Sequence, residues 1–165
     1  MAPLATPRAL VARWTELCHD SSLRDLPYKV ELNARGKIEL TPRTNRRGRL
    51  AALLAYEIDR QLSDGLALIS CGVLTPTGVN VADVAWASQE LMRVYRDAML
   101  FEQAPEICVE VCTSDGEDKV ASYLAAGARE VWLVSEGGAI RYFDAEGERS
   151  KSAFPIAIAL PPPFK

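Results

Sequence analysis

The sequence has few of the histidines and cysteines that bind zinc, and it has no long apolar segment of the kind that spans a membrane. It has one histidine and four cysteines among 165 residues, and without a second cysteine or histidine pair these do not form a zinc signature. No apolar run approaches the length of a membrane span, and residues 1–10 lack a secretory apolar core followed by a cleavage site. We therefore expect a cytoplasmic protein without membrane contacts, whose cysteines (Cys18, Cys71, Cys108 and Cys112) are mostly reduced structural thiols.

The chain also lacks an excess of positive charge. Its formal net charge is −3, with 25% charged and 48% hydrophobic residues, which is the composition of an ordinary soluble domain. Any contact with nucleic acid must therefore come from a local basic patch. The length predicts one domain over 1–165, with an N-terminal helix and connection over 1–27 and a core over 28–165.

The clearest pattern in the chain is a strand–helix–strand unit in its C-terminal half. Apolar residues alternate along 107–111 with the period of two that a strand requires. Ser114 and Glu117 form a capping box, which predicts that a helix begins there. Apolar side chains then repeat at helical spacing as far as Gly127, and 130–135 is predicted to be a second strand.

Shorter patterns predict the other elements. Helices are expected over 7–19, 49–62 and 88–96, the last with Ser88 as its cap. A hairpin is expected from 28–32 and 37–41. Further strands are expected over 66–71, 80–87, 139–144 and 155–160. This order predicts an α/β domain with a mixed central sheet flanked by helices, preceded by an N-terminal helix and hairpin.

Two carboxylates stand in otherwise apolar strands. Asp83 lies in the strand predicted over 80–87, and Glu110 lies near the end of the first strand of the central unit. A buried charge is costly without a partner, and two oxygen ligands from neighbouring strands are the usual protein share of a magnesium site. A solvated strand face or a loop cap is the alternative role, and spacing alone favours it.

A lysine of the central helix can reach the same strand end. Lys119 lies just over one turn into that helix, and helical side chains lean toward the N-terminus of their own helix. Its ammonium is therefore expected to point toward Glu110. The alternative is a surface lysine paired with Asp115 or Glu117, which contributes little to stability.

The densest positive cluster consists of Arg43, Arg46, Arg47 and Arg49. Arginine suits phosphate recognition because its planar guanidinium presents several donors. The cluster therefore predicts a nucleic-acid contact on an otherwise acidic protein. A solvated loop followed by a helix start is an equally good interpretation.

Four segments, taken in order, resemble one protein family. They are VELNARGKIELTP, RRGRLAALLAYEIDRQL, NVADVAWAS and PEICVEVCTSDGEDKVASYLAAGAREVWLV. The last is the most specific, because its glutamate, serine, lysine, tyrosine, glycine, glutamate and tryptophan recur in the order of the family motif. From about Tyr28 to the end, the chain resembles the Uma-two family of putative restriction endonucleases, within the PD-(D/E)XK nuclease superfamily.

The resemblance implies both a fold and an activity. The fold is restriction-endonuclease-like, and the activity is a magnesium- or manganese-dependent hydrolysis of phosphodiester bonds in DNA, for which a homodimer is the expected assembly. Asp83 is implied to be the motif aspartate and Glu110 the acid of the (D/E)XK element. Both are implied to ligate the metal together with the backbone carbonyl of Val111, and Glu31 is implied to be the accessory acid of the hairpin.

The chain departs from the family pattern at three positions. Cys112 occupies the place of the short-motif lysine, so that the resemblance assigns the catalytic lysine to Lys119. Ala82 replaces the proline before the motif aspartate, and Arg47 stands where the family has a histidine. The missing histidine and the acidic net charge support a second hypothesis, a non-catalytic descendant of the fold that binds nucleic acid or a protein partner.

Overall fold

The computed structural model describes residues 3–112 and 116–161. The described part forms four α-helices, which are α1 (Pro7–His19), α2 (Asn45–Gln61), α3 (Gln89–Tyr95) and α4 (Glu117–Ala125). It also forms eight strands, which are β1 (Tyr28–Asn33), β2 (Ile38–Pro42), β3 (Gly65–Thr75), β4 (Gly78–Ser88), β5 (Ile107–Cys112), β6 (Glu130–Ser135), β7 (Ile140–Asp144) and β8 (Gly147–Arg149). Of these helices, none has the length and apolar character needed to cross a bilayer.

The strands form one sheet in the order β2-β1-β4-β5-β6-β7-β8, with β3 paired to the other edge of β4. β5 and β6 are parallel, and Glu110 lies opposite Leu133 in their register. The remaining pairs of these strands are antiparallel. Parallel neighbours need a crossover, and here α4 lies in that crossover. The predicted α/β domain with a mixed central sheet is therefore confirmed.

One edge of β4 is shared by two strands that diverge from each other. β1 pairs with β4 at Gly78 and Val79, whereas β5 pairs with it along 84–86. Residues 80–83 lie between these two pairings and have neither strand as a ladder partner. On the opposite edge, the pairing with β3 is interrupted at Ser70, whose φ is 53°. The sheet therefore opens into a fork beside residues 80–83.

Helices cover both faces of the sheet. Leu54 of α2 is fully buried and packs in the same cluster as Val109 of β5. Val120 of α4 packs in the cluster that contains Cys108. Since successive strand residues point to opposite faces, Glu110 shares the face of Cys108. Its carboxylate is thus directed toward α4.

The N-terminal helix fixes the hairpin against β4. Thr6 caps α1 by accepting a hydrogen bond from the Ala9 amide at 3.2 Å, and proline follows the cap. The buried side chains of α1, including Trp14, pack with Leu32 of β1 and Val79 of β4. This cluster lies where β1 meets β4, so it holds the closed end of the fork.

Two helix starts differ from those predicted. α2 begins at Asn45 instead of residue 49, because the Thr44 hydroxyl accepts a hydrogen bond from the Arg47 amide at 3.3 Å. The predicted capping box depends on Ser114, which lies outside the described residues. α4 begins at Glu117 after Gly116, without a side-chain hydrogen bond at this cap.

The strand predicted over 155–160 is wrong. The alternation is real, because Ile156, Ile158 and Leu160 are half-buried against the α2 face of the sheet. The backbone of this segment, however, hydrogen-bonds to a side chain of α2 and not to a neighbouring strand. The Gln61 amide nitrogen donates to the Ala157 carbonyl at 3.0 Å, and the Gln61 amide oxygen accepts from the Ala157 amide at 3.0 Å. An alternating pattern predicts a half-buried extended chain but does not say what its backbone pairs with.

A buried carboxylate fixes the start of this C-terminal segment. Glu130 of β6 is 4% exposed, and it accepts hydrogen bonds from Trp132 Nε1 at 2.8 Å and from Ser152 Oγ at 2.7 Å. The backbone amide of Ala153 also donates to it. One side chain thus joins β6 to the segment that covers the α2 face.

We expect Glu130→Ala to lower the free energy of unfolding by about 3 kcal/mol, because it leaves three donors without their acceptor. Amide hydrogen exchange should accelerate over residues 152–161 more than over β1. The control Glu102→Ala removes an exposed carboxylate and should cost less than about 0.5 kcal/mol in urea unfolding. Equal costs for the two variants would contradict the anchoring role of Glu130.

Candidate active site

Carboxylates satisfy the backbone amides that the fork leaves without ladder partners. The Val81 amide donates to Glu31 Oε1 at 2.7 Å, and the Val111 amide donates to Asp83 Oδ2 at 2.8 Å. A buried amide without an acceptor is costly, so each acid has a structural reason to point into the fork. The fork therefore brings the predicted acids Glu31 and Asp83 close to β5.

Glu110 is the centre of the cluster. Its side chain is 3% exposed, and its oxygens accept from Lys29 Nζ at 2.7 Å and from the Tyr123 hydroxyl at 2.7 Å. Lys119 Nζ lies 3.4 Å from Glu110 Oε1. Burial alone would raise the pKa of Glu110, but the two ammonium groups and the hydroxyl outweigh it and lower the pKa below its ordinary value. The surroundings of this buried carboxylate therefore favour its charged form.

Lys29 also belongs to this cluster, although the sequence patterns do not predict it. Its ammonium lies 2.7 Å from Glu110 Oε2 and 3.1 Å from Asp83 Oδ1, although the residue is only 5% exposed. Burial lowers its pKa, but the charges of Glu110, Asp83 and Glu31 outweigh burial, so that the pKa is raised. One signal could have identified it, because Lys29 stands two residues before Glu31 and therefore shares its strand face.

Lys119 lies in the same cluster as Glu110, and its closest partner is the hairpin acid. Its ammonium lies 2.7 Å and 2.9 Å from the two Glu31 oxygens. The side chain is 29% exposed, compared with 6% for that of Lys29. Glu117 instead binds Arg141 at 3.1 Å. The other proposed surface partner, Asp115, lies outside the described residues.

Asp83 differs from Glu110 in its electrostatics. Burial and the charge of Glu110 raise its pKa by more than Lys29 and the Val111 amide lower it. Its side chain is 19% exposed, compared with 3% for Glu110. Asp83 is therefore the more accessible of the two carboxylates and the one whose charge the fold compensates less completely.

Arg47, at the position of the family histidine, also points into the site. Its guanidinium donates to the Val111 carbonyl from Nε at 3.0 Å and also from a terminal nitrogen. A further bond reaches the Pro42 carbonyl at 3.4 Å. The backbone carbonyl expected to be the third metal ligand therefore accepts hydrogen bonds from Arg47.

A cavity of about 190 Å³ opens beside the cluster. Lys29 and Asp83 line it, together with Arg43, Arg47 and the first turns of α2. The four predicted arginines are thus divided between two places. Arg43 and Arg47 lie at the cavity, whereas Arg46 and Arg49 lie exposed on the start of α2.

The oxygen donors suit a magnesium ion, but the Lys29 ammonium lies between the two carboxylates. Two carboxylates and a backbone carbonyl are oxygen ligands of the kind that magnesium prefers. Lys29 Nζ, however, bonds both Asp83 and Glu110 from between them. Across residues 3–112 and 116–161, no group of three or more His, Cys, Asp or Glu side chains is arranged to hold a metal ion. The site fits the ion only if the Lys29 ammonium moves away.

Comparison with known proteins identifies the family. The model of the Uma-two family, described as a putative restriction endonuclease, matches residues 16–155. The chain belongs to this family. No curated protein matches the chain. The structure is similar to the crystal structure of a putative nuclease belonging to DUF820 from Anabaena variabilis ATCC 29413, with a TM-score of 0.62 and 14% identity over 72% of this chain and 73% of that chain.

The family match and the similar structure support different statements. At 14% identity, the solved structure shows a shared fold, and the Uma-two description supports a nuclease at a general level. The family motif also contains residues with a structural role. Its second glutamate and its tryptophan are Glu130 and Trp132, which hydrogen-bond to each other at 2.8 Å. They lie away from the cavity and anchor the C-terminal segment.

We expect Glu110→Gln to destabilise the protein far more than Asp83→Asn. Glu110→Gln removes a buried charge that lies beside two ammonium groups, those of Lys29 and Lys119, at a cost of about 3 kcal/mol. Asp83→Asn weakens only the longer bond of Lys29, at 3.1 Å, at a more exposed side chain, and it keeps an acceptor for the Val111 amide, so its cost should be below about 1 kcal/mol. Urea unfolding at pH 7 measures both values, and similar losses would refute the central position of Glu110.

Proposed function

We propose that this protein is a magnesium-dependent DNA endonuclease that hydrolyses phosphodiester bonds. One observation supports this proposal most strongly. The fork brings Glu31, Asp83, Glu110 and Lys119 into one cluster, and Asp83 lines a cavity that Arg43 and Arg47 also line. Acids and a lysine held together next to such a cavity are groups of the kind that metal-dependent phosphodiester hydrolysis uses.

Asp83, Glu110 and the Val111 carbonyl are the groups that would hold the ion. Bound there, magnesium or manganese would lower the pKa of a water molecule and neutralise charge that develops on the phosphate. Tyr123 restricts Glu110 by its 2.7 Å hydrogen bond. The Val111 amide restricts Asp83 in the same way. The chain thereby fixes the orientation of both carboxylates in advance.

Lys119 is the proposed catalytic cation. Glu31 holds its ammonium with two bonds, so that Glu31 acts as a positioning residue for Lys119. In the proposed reaction the ammonium would donate to the attacking water or to a non-bridging phosphate oxygen. A fixed positive charge at that place stabilises negative charge in the transition state without reorganisation.

The arginines are the proposed DNA contacts. In this proposal Arg43 and Arg47, which line the cavity, would bind the phosphate next to the bond that is cut, and Arg46 and Arg49, exposed at the start of α2, would bind neighbouring phosphates. A homodimer would cut both strands of a duplex, and closed two-fold symmetry is its simplest form. The buried thiols of Cys71 and Cys108 suit the reducing cytoplasm that we propose as its location.

One observation favours the second candidate function, a non-catalytic module that binds nucleic acid or a protein partner. Lys29 bonds both carboxylates, and Arg47 bonds the Val111 carbonyl. All three proposed metal ligands are therefore hydrogen-bonded to cations of the chain. The two candidates differ in their need for a divalent ion, so that cleavage with and without magnesium separates them.

Lys119→Ala should reduce magnesium-dependent nicking of supercoiled plasmid by roughly 100-fold or more, because it removes a preorganised charge from the transition state. The variant should also lose stability, because the buried Glu31 carboxylate loses its closest ammonium, so nicking is compared under conditions in which urea unfolding shows that the variant is folded. Cys112→Ala is the matched control at the place of the short-motif lysine and should keep cleavage. Undiminished nicking by Lys119→Ala would remove this lysine from the site.

The double variant Arg46→Ala, Arg49→Ala should weaken binding to a short DNA duplex and make its salt dependence shallower. Losing two phosphate contacts should reduce the slope of log K against log salt by about 1.8. Fluorescence anisotropy in calcium, without cleavage, measures this slope. Arg93→Ala with Arg96→Ala, two exposed arginines on and after α3, is the control, and an equal reduction in that variant would contradict a defined DNA surface on α2.

A further inference from the structure

Lys29 occupies the position in which two carboxylates would share a cation. Its ammonium is within hydrogen-bond distance of one oxygen of Asp83 and one oxygen of Glu110. These are the same two carboxylates that the proposed function assigns to the metal. A side chain of the chain itself therefore supplies the positive charge that an ion would bring.

The charges of the cluster leave Lys29 as the main partner of both acids. Three carboxylates meet two ammonium groups, and the shortest bonds of Lys119 go to Glu31. Among the residues that the structure describes, only Lys29 bonds both Asp83 and Glu110. An ion bound directly by both carboxylates would lie next to the Lys29 ammonium, and two cations at such a distance in a poorly solvated site repel strongly. The ion and the ammonium therefore exclude each other.

The ammonium also has a route out of the cluster. Lys29 lines the cavity together with Asp83, Arg43 and Arg47. Its long, flexible side chain can thus turn into the cavity by rotation, without a change in β1. In the cavity it would join the arginines on the side where the substrate phosphate is proposed to bind.

We propose that Lys29 is an internal cation that occupies the divalent-ion position between Asp83 and Glu110, so that a metal ion binds only by displacing it. Lys29 therefore lowers the affinity of the site for a metal ion. The proposal rests on the proposed function in its choice of metal ligands. It does not require that the protein cleaves DNA.

The Kd of Mn²⁺ for the full chain tests the proposal. It is measured by electron paramagnetic resonance, in which the signal of the free ion falls as the protein binds it. Lys29→Met removes the charge and keeps an unbranched side chain. It should bind one Mn²⁺ with a Kd at least about tenfold lower than that of the unmodified protein. Lys151→Met makes the same replacement at an exposed lysine and should leave the Kd unchanged. Adding Asp83→Asn to Lys29→Met should abolish the gain.

A second measurement uses the unmodified protein, because Lys29→Met can be unstable without metal. The proton signals of a lysine ammonium held by two buried carboxylates exchange slowly with water. Titration with Mg²⁺ should shift the ¹⁵N signal of Lys29 and accelerate this exchange, while the signal of Lys151 stays constant. In a thermal melt, Mn²⁺ should raise the Tm of Lys29→Met more than that of the unmodified protein.

The outcomes separate this proposal from the proposed function. A Lys29→Met variant that binds Mn²⁺ no more tightly than the unmodified protein overturns the proposal, even if that protein cleaves DNA with magnesium. A Lys29 signal that stays unchanged while the protein saturates with Mg²⁺ overturns it as well. Tight binding by Lys29→Met, with no cleavage by the unmodified protein, supports the proposal and refutes the endonuclease.

Discussion

The divergence of β1 and β5 along one edge of β4 is the constraint on which the candidate site depends. A sheet that opens leaves backbone amides without partners, and in a buried region each of these must find another acceptor. Here Glu31 and Asp83 supply the acceptors. Their carboxylates then need cations in turn, which Lys119 and Lys29 provide. The charged cluster is thus a consequence of the way the sheet opens.

Much of the fold followed from periodicity, and the failures have physical causes. The alternation along β5 and the helical spacing of α4 are local properties, so the strand–helix–strand unit could be predicted. The span 155–160 has the alternation of a strand without being one, because alternation reports the burial of every second side chain and not the partner of the backbone. The apolar spacing in α2 predicts a start at residue 49, but the cap at Thr44 begins the helix four residues earlier.

The sequence predicts the acids of the candidate site but not the cations that neutralise them. Asp83 and Glu110 stand out because a carboxylate in an apolar strand demands an explanation. Lys29 does not stand out, since a lysine at the start of a hairpin strand is ordinary. Its contact with Glu110 joins residues 81 positions apart, and no local pattern reports such a pairing. The bond from Arg47 to the Val111 carbonyl is of the same long-range kind.

The cluster also couples the folding of distant segments. Glu110 meets Lys119 and Tyr123 over separations of 9 and 13 residues, so this half can form early and locally. Its other ammonium, that of Lys29, arrives only when the hairpin docks. Until then the Glu110 carboxylate lacks its closest counter-charge, so removing water from around it costs free energy. Docking of the hairpin and desolvation of β5 are therefore expected to occur as one cooperative event, without a stable half-folded intermediate.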